Sequence, residues 1–447
     1  MIAKELKLRM RGLMAGAGMA LFGLTAALLL LEGLTRVLNL APPAGPAGHF
    51  WRTDPQTGWS LQPGAAGRWF NPHHEYDVQV TINSQGLRDV ERPGYDKPAG
   101  VRRILLLGDS YVEGLRVPLE QTFGKVLEAR LNADAGSGLR YEVINAGVSG
   151  WGTDQQLLWF RAEGVKYRPD LVVLAFFPGN DFQNVSEALE VANMGRIQKP
   201  FFYREAGELK LRYYPFDPAA VPRPTFARGR AADGGRAAEG AGHASWRDAL
   251  AGARAWLSRH SAFYRFVGPV LDEAAPGLAL KLAGWGLMDA PNAASTAAMG
   301  PDYVPVAYGV YRRPPTGEWL DAMALAGDLV KALAREVAGQ DGRLAVVAVP
   351  APEQVYAERW ERIVRRYAAM QREQWDLEQP NRAAGRIAEQ AGAAFLDLLP
   401  IFRQAAATSS QPLHLRVDGH WTPAGERLAA EATAAFLRAS GLLAPNP

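Results

Sequence analysis

A chain of 447 residues with 49 Lys and Arg against 46 Asp and Glu is longer than one ordinary domain, and its formal net charge of +3 offers no basic surface of the kind that nucleic acid binding needs. It contains no cysteine, which excludes disulfides and thiolate chemistry and leaves any metal to histidine and carboxylate alone.

Residues 1–11 carry Lys4, Lys7, Arg9 and Arg11, and Gly12 to Leu31 then runs without a charge. As a helix this run is about 30 Å long, the thickness of a bilayer's hydrocarbon core. The expectation is a cytoplasmic basic tail (1–11), an uncleaved single-pass anchor in the inner, cytoplasmic membrane (12–31), and an extracytoplasmic, periplasmic remainder. A cleaved signal is disfavoured because the run exceeds a usual signal core and is followed by Glu32 and Arg36. Residues 32–50, with the Pro/Gly-rich "APPAGPAG" at 41–48, read as a stalk.

Over 51–100, Tyr76, Val78, Val80 and Ile82 alternate with polar neighbours, the period of a half-buried strand, so a small β-rich strap is expected there. "RILLLGDSYVEG" (103–114) places an apolar run ahead of Gly-Asp-Ser, as in a strand of a parallel sheet buried on both faces. Ser110 then sits just past the strand's carboxyl end, where open α/β sheets bind ligands. Two more strands follow, Tyr141–Gly147 and Asp170–Phe177, each ending in small or polar residues. The helix between them is expected to start at Thr153 as N-cap, with Gln156 in capping-box spacing. This strand and helix alternation predicts a doubly wound parallel sheet over 101–184.

The pattern dissolves over 185–315, read as an insertion holding a low-complexity loop (226–245), an extended segment around "KLRYYPF" and a helical one from Trp246 to Leu271. It resumes over 316–440 with an amphipathic helix, the strand "RLAVVAVPAP", another helix, the strand "AAFLDLLP" and a last helix with Thr422 at N-cap and Pro423 at N1.

Four small or polar interruptions fall beside these elements: Ser110, Gly147, Asn180 and the pair Asp418 and His420. A serine hydroxyl needs a base, and His420 is the best-placed of the seven histidines. Asp418, two residues away, is the candidate to fix the imidazole's tautomer. The backbone N–H groups of Ser110 and Gly147 and the side-chain amide of Asn180 are the candidate oxyanion donors. Asp109 and Asp181 read as loop-bonding carboxylates. His73, His74, Glu75 and Asp77 cluster in sequence, but neighbouring strand residues point to opposite faces and do not share a metal.

"GDSYVEG", "NAGVSG", "GND" and "DGHW" resemble, in order and spacing, the four sequence blocks of the SGNH (GDSL-type) hydrolase superfamily. The resemblance covers about 101–184 and 316–440. It implies a flavodoxin-like three-layer α/β/α fold with a parallel sheet, preceded here by one transmembrane helix and the strap and interrupted by the insertion after the third block. It further implies Ser110 as nucleophile, Gly147 and Asn180 as oxyanion donors, His420 as base, and acyl-enzyme chemistry without metal or organic cofactor. Most members place the aspartate three residues before the histidine, where this chain has Val417. The Asp418-Gly419-His420-Trp421 ending is similar instead to the branch that includes alginate O-acetyltransferase-like proteins. The first expectation is an esterase that deacetylates an envelope or secreted glycan. The alternatives are an O-acyltransferase acetylating a polysaccharide, fed by an integral membrane acyl-donor partner, and a catalytically silent glycan-binding module.

Overall fold

The computed structural model describes residues 2–38, 40, 41, 48–71, 73–133, 139–222, 246–275 and 302–444, together with 278, 281–283, 285, 287 and 288. Most of the expected stalk at 41–48 and all of the low-complexity loop at 226–245 lie outside them.

The chain opens with a long helix, α1 (Ile2–Val37). Two antiparallel pairs follow, β1 (Trp51–Asp54) with β2 (Gly58–Leu61) and β3 (Ala66–Phe70) with β4 (Asp77–Thr81). Then come β5 (Val101–Gly108), α2 (Ser110–Glu113), α3 (Phe123–Ala133), β6 (Arg140–Gly147), α4 (Thr153–Ala162), β7 (Leu171–Phe176), α5 (Asp181–Asn184) and α6 (Glu187–Met194). A hairpin of β8 (Phe201–Glu205) and β9 (Glu208–Arg212) precedes α7 (Trp246–His260) and α8 (Ala262–Ala274). The last stretch contributes α9 (Gly317–Ala338), β10 (Arg343–Ala348), α10 (Gln379–Gln390), β11 (Ala394–Asp397) and α11 (Pro423–Ala439).

These elements form two compact units. One comprises Met1–Pro46, Asn71–His74 and Asp233–Gly300; the other comprises Ala47–Phe70, Glu75–Ala232 and Pro301–Pro447. The insertion expected at 185–315 is therefore divided. Its first part, including α6 and the β8–β9 hairpin, belongs with the sheet, and only 233–300 groups with the N-terminal helix.

In the larger unit, β5, β6, β7, β10 and β11 form one parallel sheet in the order β11-β10-β7-β5-β6. Counted from the first sheet strand this is 2-1-3-4-5, the flavodoxin-like order. The winding reverses between β5 and its neighbour β7. The strand ends at such a switch point diverge into a crevice. Ser110 follows β5 and Asn180 follows β7, so both border it.

The apolar runs are continuous because both faces are covered. Leu105, Leu107, Ile144, Val172, Leu174 and Val346 pack toward α4, α9 and α10, whereas Ile104, Leu106, Val143, Val173, Ala345 and Val347 pack toward α3 and α11. Thr422 does cap α11, its Oγ1 accepting the Gly425 N–H at 3.3 Å with Pro423 at N1. Two boundaries differ from the sequence reading. Gly152, in extended backbone, is the N-cap of α4, and Gln155 rather than Gln156 reaches back to its N–H at 3.2 Å, because Thr153 is already helical. The helix expected over 246–271 breaks at Ser261, whose Oγ accepts the Tyr264 N–H at 3.1 Å and starts a new helix.

The strap forms its own small core from Phe50, Leu61, Val78, Val80 and Ile82, closed by Leu115, Val148 and Trp151 from the loops at the sheet's carboxyl edge. Two tryptophans lock it there: Trp59 Nε1 donates to Ser149 O and Trp151 Nε1 donates to Trp59 O, both at 2.9 Å.

Candidate active site

Ser110, His420 and Asp418 meet at the carboxyl edge of the sheet. His420 Nε2 lies 2.7 Å from Ser110 Oγ, and His420 Nδ1 lies 2.5 Å from Asp418 Oδ1. Serine and histidine are 310 residues apart in the chain, and folding alone unites them. The hydrogen on Nδ1 faces the carboxylate, which leaves the Nε2 lone pair toward the hydroxyl, the tautomer a general base requires.

Each member is held from several sides. Asp109 caps α2, its Oδ1 accepting the Tyr111 N–H at 2.9 Å, and this fixes the turn carrying Ser110. The two-residue spacing of Asp418 and His420 works because Gly419 sits at φ +86°, in the left-handed region. Tyr111 holds that turn against α2: its hydroxyl donates to Gly419 O at 3.2 Å, and its ring lies 4.9 Å from the imidazole and 4.8 Å from Trp421.

Asp418 collects donors. Tyr76 Oη donates to Oδ2 at 3.1 Å, Arg116 Nε donates to Oδ1 at 3.3 Å, and the backbone N–H of His420 donates to Oδ1 at 3.2 Å. Glu75 accepts the N–H groups of Val417 and Asp418, each at 2.9 Å, so the strap grips the turn from outside. Glu75 belongs to the acidic and histidine cluster that the sequence reading set aside. Its role is to position backbone, and no periodicity marks it. Arg116 and Tyr111 were missed for the same reason, since nothing local distinguishes a residue that works through a contact three hundred positions away.

Asn180 is brought in from β7. Its Nδ2 donates to Asp109 Oδ2 at 3.1 Å, which places its amide beside the turn that presents Ser110. Asp181 bonds within its own loop, accepting the Phe177 N–H at 2.8 Å.

Gly147 lies at the end of β6, against α2. Its N–H, expected to face an oxyanion, donates to Asn145 Oδ1 at 3.0 Å. A Cβ here would lie 2.4 Å from Glu113 N and 2.5 Å from Val112 Cβ. The glycine lets β6 approach α2 closely, and its amide bonds to a side chain of its own strand.

Burial is the largest influence on His420 and lowers its pKa below the ordinary 6.5; the Arg116 charge adds to this and Asp418 opposes it. For Asp418, burial works upward but is outweighed by His420 and Arg116, and the carboxyl stays well below its usual range. A base must be neutral to accept a proton, so the acid limb of kcat/KM is expected below pH 6.5. Arg116→Gln should move that limb up, because a cation that disfavours imidazolium is gone. A pH profile of both proteins checks this, and an unmoved or lowered limb would refute the electrostatic role.

Beneath the site, the buried Glu113 carboxylate accepts from Trp51 Nε1 at 3.0 Å and from Ser149 Oγ, joining strap, α2 and the loop after β6. Burial pushes its pKa up to about 7, and Glu426, also buried, up to about 8. A carboxyl whose folded pKa exceeds its unfolded value of 4.5 holds its proton more tightly when folded, so stability declines as pH rises from about 4.5 through about 7 to 8. Urea unfolding followed by tryptophan fluorescence should show the midpoint falling between pH 5 and 8, with Glu113→Gln flattening the lower part of that fall.

Residues 321–446 match the family model described as SGNH hydrolase-like domain, acetyltransferase AlgX. The match contains Asp418 and His420; Ser110 and Asn180 lie outside it and reach the site through the fold. No curated protein matches. Among solved structures, the chain is similar to TesA at 13% identity, covering 76% of this chain and 100% of that one with a TM-score of 0.34. It is similar to the acetyl xylan esterase AlAXEase at 12% identity, covering 74% and 98% with a TM-score of 0.35. An acetyl xylan esterase from Geobacillus stearothermophilus gives 12% identity, 77% and 97% coverage and a TM-score of 0.34. Overlaps this loose say nothing of function.

Proposed function

We propose that this SGNH hydrolase-like chain, related to AlgX over residues 321–446, is a membrane-anchored O-acyltransferase that forms an acyl-enzyme on Ser110 and delivers the acyl group, an acetyl, to a hydroxyl of an envelope or secreted glycan. The observation that carries the chemistry is the continuous relay from Ser110 Oγ through His420 to Asp418 at 2.7 and 2.5 Å. Transfer is put ahead of hydrolysis because the matching family model is that of an acetyltransferase.

Ser110 Oγ attacks the donor's carbonyl carbon while its proton passes to His420 Nε2. The tetrahedral oxyanion accepts hydrogen bonds from the Ser110 N–H and the Asn180 amide. Collapse expels the leaving group, which takes the proton from His420. The acceptor hydroxyl then gives its proton to His420 and attacks the acyl-serine, and the second collapse returns the proton to Ser110 Oγ. Asp418 holds the ring and stabilises the imidazolium in both halves.

The helix α1 contains a stretch, Gly18–Val37, long and apolar enough to cross a membrane. With the basic tail before it, this supports an anchor with the N-terminus cytoplasmic and the sheet unit outside. Hydrolysis is a second reading, favoured by the partial exposure of Ser110 and His420, which lets water reach the acyl-serine.

The test gives the purified full chain in detergent an activated acetyl ester and a neutral or acidic oligosaccharide acceptor. Acceptor acetylation outpacing acetate release supports transfer. Acetate release indifferent to acceptor selects hydrolysis, and absence of any acetyl-Ser110 by mass spectrometry rejects both.

A further inference from the structure

The N-terminal helix makes polar contacts near its carboxyl end. Glu32 and Arg36 close the uncharged run and form an i,i+4 pair, Arg36 Nε donating to Glu32 Oε1 at 2.7 Å. The same two side chains grip the elbow between α7 and α8, more than 220 residues on. Glu32 Oε2 accepts from Ser261 Oγ at 2.8 Å and from the Phe263 N–H at 2.9 Å, and Oε1 accepts the Ala262 N–H at 2.9 Å. Arg36 Nη2 donates to His260 O at 2.7 Å.

The chemistry is complementary at both helix ends. A carboxylate meets the free N–H groups that open α8, and a guanidinium meets a carbonyl that closes α7, the signs each helix dipole favours. The clamp therefore fastens the helical hairpin to the last turns of the apolar stretch Gly18–Val37 of α1.

What the hairpin exposes fits that position. Trp256 on α7 is 60% exposed and stacks on the exposed His260. Val270 on α8 and, further on, Trp285 and Leu287 are exposed as well, Trp285 at 64%. Arg259 and Lys281 are exposed among them. Tryptophans and aliphatic side chains interspersed with cations are the composition of a segment lying in the lipid headgroup boundary.

We propose that the α7–α8 hairpin, with Lys281, Trp285 and Leu287 beyond it, is a second membrane element: an interfacial patch lying on the bilayer surface, fastened to the spanning helix by Glu32 and Arg36. The partner is lipid. Continuity with the spanning helix selects it, since the clamp leaves the patch no distance to travel to reach headgroups. This rests on the reading of α1 as a spanning anchor and is independent of the acyl chemistry.

The absence of native cysteine makes a single introduced cysteine a unique label site. The full chain, labelled with a polarity-sensitive fluorophore at Val270→Cys, Leu287→Cys, Leu24→Cys or Glu205→Cys, is reconstituted in pure-lipid nanodiscs. Nitroxide lipids near the headgroup are expected to quench the labels at 270 and 287 about twofold or more, with Glu205→Cys as the reference label in the sheet unit. Mid-bilayer nitroxide should quench Leu24→Cys. Quenching at 24 with none at 270 and 287 overturns the patch and leaves the anchor intact; no quenching at 24 overturns the anchor reading itself. Labels at 270 and 287 that are shielded in native membranes but open to aqueous iodide in pure-lipid discs would identify a protein occupant and overturn the proposal. Replacing Glu32 and Arg36 together by alanine should cut quenching at 270 while sparing that at 24, and unchanged quenching at 270 would refute the clamp.

Discussion

Replacement of Ser110 by alanine is expected to lower kcat for acyl transfer or ester cleavage by on the order of 10⁵-fold or more, with the sheet unit still folded. The loss is large because, among the described residues, Ser110 is the one whose hydroxyl meets His420 Nε2, at 2.7 Å. Ser149, the nearest serine along the loop after β6, already donates to the Glu113 carboxylate. Alanine at 110 should leave the fold in place, since the cap that shapes the turn comes from the Asp109 side chain and not from the serine. Intact-mass measurement after mixing with an activated acetyl ester should show one acetyl adduct on the native chain and none on the variant. Activity within tenfold of the native chain would remove Ser110 from the chemistry.

Asp418→Asn is expected to cost about 10³- to 10⁴-fold in kcat with a much smaller change in KM. The carboxylate accepts from His420 Nδ1 at 2.5 Å and so keeps the Nε2 lone pair toward serine. An amide facing the same ring can donate to Nδ1 instead. That would put the ring's hydrogen on Nε2, where it cannot accept the serine proton. The substitution also removes the anion that favours imidazolium while Arg116 remains, so His420 should become still harder to protonate and the acid limb of the residual activity should move down. Arg116→Gln moves it the opposite way, and the pair of profiles separates an electrostatic role from loss of structure. A residual rate near native would mean that Tyr111 and the turn alone orient the imidazole.

The fold was largely legible in the sequence. Runs such as Ile104–Leu107 and Val172–Leu174 are apolar without alternation because helices cover both faces of the sheet, and that pattern is a local property of the chain. Helix ends were legible where a side chain signals them, as Thr422 and Pro423 do for α11. They were less so at α4, where a glycine in extended backbone caps one residue early and leaves only Gln155 as a trace.

The candidate site divides along the same line. Ser110, Asn180 and His420 stand out because each interrupts an element at a strand end or before a helix, so their residue types and order already suggested one rim. Gly147 satisfied the same criterion, but a sequence does not say where an amide points, and here it bonds to Asn145. Tyr76, Glu75, Arg116 and Tyr111 matter through hydrogen bonds to residues some 300 or more positions away, and no local period encodes such a pairing.

By itself, then, the sequence determined the strands, their alternation with helices, the apolar N-terminal run and the types of the reacting groups, since burial periodicity and turn chemistry act over a few neighbouring residues. Only the tertiary structure decided where the Asn180 and Gly147 amides bond, which strap residues brace the Asp418 turn, and that Glu32 and Arg36 seize an elbow far down the chain. Those choices depend on the order in which strands pack and on where loops converge, and a contact between distant segments leaves no mark in either segment alone.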